Sequence, residues 1–195
     1  MAETGDWRSR KWEATHRRIF DTAMRLFRER GFERVNVGQL AAAAEVSVPT
    51  FYAHFPSKEH VVMQLPTGEH LAALLATQPA HLPVADRLRR LVGAFFGQFT
   101  PQDWADTLAR WKVIASTPAL RTRAAEFERT TADMLANALP TASGLSLTPA
   151  EAVVVNATMA AFTTGLLAWA DSDGQEDAEK LVDEAIAALH QRGGA

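Results

Sequence analysis

The chain has 195 residues, 47% of them hydrophobic, with a formal charge of −3 and no cysteine. That length supports a substantial core, one domain plus a small module, and the lack of thiols excludes disulfides, thiolate nucleophiles, Cys-ligated zinc and iron–sulfur clusters. Residues 1–60 hold ten Lys/Arg against eight Asp/Glu, whereas 61–195 hold ten against fifteen, an asymmetry that permits an N-terminal end facing phosphates.

Alternating strand patterns are almost absent, so an all-α fold of about nine helices is expected. No apolar run approaches the roughly eighteen residues that cross a bilayer, and the N-terminus lacks the apolar core of a secretory signal. A cytoplasmic protein with no membrane partner is the expectation.

Residues 1–11 are polar, with Arg8, Arg10 and Lys11 grouped. They read as a flexible tail, with a phosphate- or minor-groove-binding arm as the alternative. Trp12 to Arg30 carries apolar residues at helical spacing and ends at Gly31, which can adopt a left-handed cap. Asn36 with Gln39 forms a capping box for a second, alanine-rich helix. After a turn at Glu45–Val46, Ser47 caps a third helix bearing Val48 to Phe55, with Pro49 tolerated in its first turn. Short helix, tight turn and aromatic-bearing helix together read as a helix-turn-helix.

A longer helix opens at Ser57–Glu59, and Pro66 inside its pattern predicts either two pieces or a bend. Further helices are expected over about 84–99, 101–116 and 118–139, with Thr100 and Thr117 as caps before prolines. Another runs from the capping box of Thr148 and Glu151 to about Trp169, and the last from Asp173–Glu176 to about Gln191. The 140–147 loop is rich in Ser, Thr and Gly.

The string GFERVNVGQLAAAAEVSVPTFYAHFPSKEHVV, beginning at Gly31, resembles the DNA-binding module of the TetR family of transcriptional regulators. The carrying residues are Gly31-Phe32, Leu40-Ala41, Val46-Ser47, Thr50-Phe51-Tyr52, His54-Phe55 and Pro56-Ser57-Lys58-Glu59. The resemblance implies residues 1–60 as a DNA-binding domain and 61–195 as a ligand-binding and dimerisation domain. It also implies a homodimer on a pseudo-palindromic operator, repression as the default, and release by a small-molecule effector. Regulation by a protein partner, with no small-molecule effector, is the alternative.

By that resemblance the third helix enters the major groove, with Asn36, Gly38, Ser47, Val48, Pro49 and Ala53 near the DNA and Thr50, Tyr52, His54 and Lys58 approaching phosphates. Thr50 and His54 are four apart, hence on one helical face. Two departures matter. The turn position usually held by glycine is Glu45, and the base-reading positions Gly38, Val48, Pro49 and Ala53 cannot make bidentate contacts to guanine or adenine. Readout through thymine methyl groups and DNA shape is therefore expected.

In the C-terminal region, an effector pocket is expected from Met63, His70, Phe96, Phe99, Trp104, Leu108, Trp111, Phe127, Met134 and Phe162. The best-supported face carries Trp104, Leu108 and Trp111. The dimer face is expected from Val155, Thr158, Met159, Phe162, Leu166 and Trp169 on one helix and Leu181, Ala185, Ile186 and Leu189 on the last, with intramolecular core as the competing reading. No HExxH, GxSxG, P-loop or Gly-rich dinucleotide turn is present, and Asp171–Gly174 lacks the spacing of a calcium loop. No enzyme activity, cofactor or metal is expected.

Overall fold

The computed structural model describes residues 3–64, 66–139 and 146–189, with side chains from residue 7 onward. The chain divides into two compact units, Met1–Gln64 and Leu65–Ala195. Among the described residues every regular element is helical.

In the N-terminal unit, α1 (Glu3–Arg30) leads through a single 3-10 turn (Phe32–Arg34) to α2 (Val37–Ala43), α3 (Val48–His54) and α4 (Glu59–Val62). The expectation of a flexible tail over residues 1–11 is corrected from residue 3 onward. No Gly or Pro interrupts residues 7–30, and local pairs support the extra turns: Ser9 donates to Glu13, the Lys11 ammonium lies over the Trp7 ring, and Trp12 stacks on His16. Residues 1 and 2 lie outside the described residues. Gly31 adopts φ +82°, as a residue without Cβ can, and its N–H donates to the Phe27 carbonyl. Ile19, Ala23, Leu26 and Phe27 of α1, Val35, Leu40 of α2 and Phe51 of α3 form the buried interior.

The expected longer helix from Ser57 is in two pieces: α4 has only four residues, and α5 (Gly68–Ala76) starts after Pro66 with Thr67 as its N-cap. Pro66 lacks an N–H and disfavours helical conformation in the residue before it. Leu65 lies outside the described residues.

The C-terminal unit continues with α6 (Val84–Phe96), α7 (Pro101–Ser116), α8 (Pro118–Ala138), α9 (Pro149–Asp171) and α10 (Ala178–Ala188). Thr148 makes the expected capping box with Glu151, and Thr100, expected as a simple cap, makes a box with Asp103. Thr117 occupies an N-cap position but its side chain makes no capping hydrogen bond. Helix α6 stops at Phe96 rather than Phe99, with Gly97 as its cap. The last helix starts at Ala178 under an Asp177 cap, because Asp173 and Gly174 take positive φ and form a turn instead of a first helical turn. The 140–145 part of the expected loop and residues 190–191 of the last helix lie outside the described residues.

Helix α9 is the axis of this unit, packing against α6, α7, α8 and α10. It is long and apolar enough to cross a bilayer by length and composition, which corrects the expectation that no segment approaches that limit. One side of it is core. Val155 and Met159 join the leucines of α5, α6 and α8, while Leu166 and Trp169 join Val92, Phe96, Val182 and Ile186. Gly165 lets α10 approach: a Cβ there would lie 2.6 Å from the Val182 Cα. Gly165→Ala must push α9 and α10 apart, and is expected to destabilise the C-terminal unit by about 1 to 3 kcal/mol, measured by urea unfolding against the wild type.

Candidate nucleic-acid interface and effector region

The helix-turn-helix is held by local hydrogen bonds that its sequence specifies. Asn36 Oδ1 accepts from the Gln39 N–H at 2.9 Å, and Gln39 Oε1 accepts from the Asn36 N–H at 2.9 Å. Ser47 Oγ accepts from the Thr50 N–H at 3.1 Å and lies 2.7 Å from the Thr50 hydroxyl. Glu45, in the turn, has φ +53°. This left-handed conformation costs a non-glycine residue about 1 to 2 kcal/mol, so the expected backbone penalty at that position is present.

Phe51 and Phe55 point α3 inward, the former with no exposed surface. Val48, Pro49, Tyr52 and Ala53 are left on its solvent side; Val48 is 40% and Tyr52 50% exposed. Asn36, Gly38 and Ser47 are exposed and Thr50 half-buried. Helix α3 and its exposed face carry no Lys or Arg.

Two residues expected at phosphates are otherwise engaged. The Lys58 ammonium donates to the carbonyls of Phe32 (3.1 Å) and Val35 (3.2 Å) and lies 4.2 Å from the Phe32 ring centroid. It pins the 3-10 turn. His54 is half-buried, its ring 4.8 Å from Trp12 and 5.7 Å from His16 between centroids, and His16 stacks on Phe55 at 4.3 Å. Burial pushes the His54 pKa below its ordinary value, and its Nδ1 has no hydrogen-bond partner. Each of the two side chains thus has partners within its own unit. Trp12 and His16 were not singled out as site residues from the sequence. Their i, i+4 spacing, which puts both rings on one side of α1, was the available signal.

In the C-terminal unit, Phe96, Phe99, Trp104 and Phe162 meet in one ring cluster. Trp104 lies 5.1 Å from Phe96 and 4.9 Å from Phe99, and Phe96 stacks on Phe162 at 5.6 Å. Leu108 and Trp111 pack against the same core. Trp169, expected at a dimer face, belongs here instead, edge-on to Trp104 at 5.6 Å. His70 meets the edge of Phe95, and Met134 packs on the leucine cluster beside it. Phe127 is half-buried on α8, and Met63, which belongs to the N-terminal unit, is buried. A groove of about 260 Å³ opens between α6 and α10 over Val92, Gly93, Phe96 and Ile186. The Arg89 guanidinium spans its rim, donating to both Asp183 oxygens at 2.6 and 2.7 Å and holding that carboxyl below its ordinary pKa.

The expected dimer face is corrected. Val155, Thr158, Met159, Leu166, Trp169 and Ile186 are buried within the single chain, and Phe162 is half-buried in the ring cluster, so they offer no open surface to a partner. Leu181 and Ala185 are half-buried, and Leu189 is exposed. The open side of α9 carries Val153, Asn156, Ala160, Thr164 and Ala168.

The family model described as "Bacterial regulatory proteins, tetR family" matches residues 19–65, and that of the "MftR C-terminal domain" matches residues 82–193. The HTH-type transcriptional regulator EthR of Mycolicibacterium smegmatis is 32% identical over 152 residues, 66% of this chain and 68% of that protein. TcmR of Streptomyces glaucescens is 31% identical over 121 residues, 58% of this chain and 53% of TcmR, so the chain spans about half the length of that relative. Two solved structures share the fold. Native NalD of Pseudomonas aeruginosa, the secondary repressor of the MexAB-OprM multidrug efflux pump, superposes with a TM-score of 0.57 at 18% identity, covering 94% of this chain and 100% of NalD. Thermus thermophilus FadR, in complex with lauroyl-CoA, gives 0.52 at 23% identity over 92% of this chain and 95% of FadR. With both units matched, the chain belongs to the TetR family of bacterial transcriptional regulators.

Proposed function

We propose that this regulator binds a pseudo-palindromic operator as a homodimer, represses from it, and is released by a small, mainly apolar or aromatic effector. The observation that carries the DNA reading is the outward face of α3: Val48, Pro49, Tyr52 and Ala53 are presented to solvent by a helix whose other side is locked in the core. These residues offer methyl groups and one phenol, suited to thymine methyls and a phosphate oxygen rather than to the polar edges of guanine or adenine.

The effector reading rests on the ring cluster of Phe96, Phe99, Trp104 and Phe162. A flat apolar molecule can replace ring-on-ring contacts there without stranding a polar group. Coupling then requires only that the ligand bind better to a conformation that fits the operator poorly. Selection of DNA from a random pool with the purified protein is expected to enrich an inverted repeat. A compound that raises the melting temperature of the protein is then expected to release that DNA. Failure to enrich any sequence would overturn the operator reading. Stabilising compounds that leave the complex intact would argue for control by a protein partner.

For the dimer, the reading uses the open side of α9, where Ala160, Thr164 and Ala168 allow two helices to approach closely and Val153 is exposed on the same side. Thr164→Arg places a cation in the middle of that side. It is expected to shift the protein to monomer in sedimentation equilibrium and to weaken operator binding by about tenfold or more, since one recognition helix then binds alone. An unchanged dimer would reject this face.

A further inference from the structure

The electrostatics of the N-terminal unit are unusual for a DNA-docking module. Residues 7–18 hold five cations, Arg8, Arg10, Lys11, Arg17 and Arg18, against one carboxylate, Glu13. Residues 19–64 hold five, Arg25, Arg28, Arg30, Arg34 and Lys58, against Asp21, Glu29, Glu33, Glu45 and Glu59, and so carry no net charge. The helix-turn-helix itself, from Val37 to Phe55, contains no Lys or Arg at all, and Lys58 is bound to carbonyls of its own unit. Phosphate attraction supplies much of the affinity of DNA-binding proteins. Within the N-terminal unit the excess of positive charge lies in residues 7–18 of α1, following the carboxylates Glu3 and Asp6 of its first turn.

That segment is also built as a surface. Every residue from Trp7 to Ala14 is exposed, including Trp7 (58%) and Trp12 (50%), so these turns contribute little to the core of their unit. Trp7, Lys11 and Arg18 recur at i, i+4 and i+11 along one side, and Arg8 lies one turn before Trp12 on the neighbouring side. Trp12 is in ring contact with His54, the last residue of α3. The cationic turns are therefore tied to the C-terminal end of the recognition helix and continue past it.

We propose that the Trp7–Arg18 stretch of α1 is a second DNA-contacting element, gripping the phosphate backbone that flanks the base pairs facing α3, with Arg8, Lys11 and Arg18 as its anchors. Exposed Trp7 and Trp12 supply an apolar platform against the sugar edge, and the Trp12–His54 contact sets the register between the two elements. The proposal rests on the operator reading above but adds a distinct prediction about flanking DNA.

The test uses the full chain and the inverted repeat it selects, as one duplex with several flanking base pairs on each side and another trimmed to the repeat. The triple variant Arg8→Gln, Lys11→Gln, Arg18→Gln alters exposed side chains only, and its thermal unfolding serves as the folding control. On the long duplex it is expected to lose about tenfold or more in affinity, with the slope of log K against log salt shrinking by about 3 per half-site. On the trimmed duplex it should match the wild type. Equal losses on both duplexes, or an unchanged salt slope on the long one, would overturn the proposal. So would a change of oligomeric state with the slope retained, which would assign the segment to a second copy of the chain. If the wild type selects no DNA, the operator reading itself fails. If it selects DNA but the variant behaves like the wild type, only the flanking contact fails.

Discussion

Phe51 is fully buried on a helix of only seven residues, and because Phe55 is buried one turn later, the remaining positions of α3 have little choice but to face solvent. Much of the N-terminal unit serves that orientation. The Asn36–Gln39 capping box fixes the start of α2, Ser47 fixes the start of α3, and Glu45 accepts a left-handed backbone so that the turn between them can close. Lys58 ties the following segment to the Phe32 and Val35 carbonyls. The result is a rigid, nearly uncharged reading head, with the positive charge placed one helix away.

The C-terminal unit solves a different packing problem. Helix α9 is apolar or small around most of its circumference, so hydrophobicity alone does not say which side meets the core. Val155, Met159, Leu166 and Trp169 fill space between four other helices, with the small Ala161, Gly165 and Ala170 beside them, while Val153, Ala160, Thr164 and Ala168 lie on the open side. Gly165 completes the arrangement by admitting α10 to a separation that any side chain would prevent.

These two cases mark what was legible in the sequence. Caps were, because Asn36–Gln39, Thr100–Asp103 and Thr148–Glu151 act over three residues and need no tertiary information. The helical class and the helix-turn-helix follow from the same kind of local chemistry, whereas the left-handed backbone at Glu45 follows from the family resemblance, in which that position is usually glycine. What the sequence does not show depends on contacts between distant groups. Carbonyls of Phe32 and Val35 hold the Lys58 ammonium, and the rings of Trp12 and His16 flank His54. The open side of α9 is not legible from a helix apolar on every side, because its neighbours decide what is covered. The polarity of residues 7–11 suggests a flexible tail, but an unbroken run of helix-compatible residues with i, i+4 partners sustains a helix there.

If the apolar face of α3 reads DNA mainly through methyl groups and shape, with little hydrogen bonding to base edges, single-atom changes in the selected operator separate the two modes. Replacing thymine by uracil, one position at a time in the selected operator, removes a methyl group and nothing else, whereas 7-deazaguanine removes the N7 acceptor that bidentate readout requires. Affinity is expected to fall about three- to tenfold at one or two uracil positions in each half-site and to stay unchanged at every 7-deazaguanine. Loss at a 7-deazaguanine, with uracil tolerated throughout, would contradict the account.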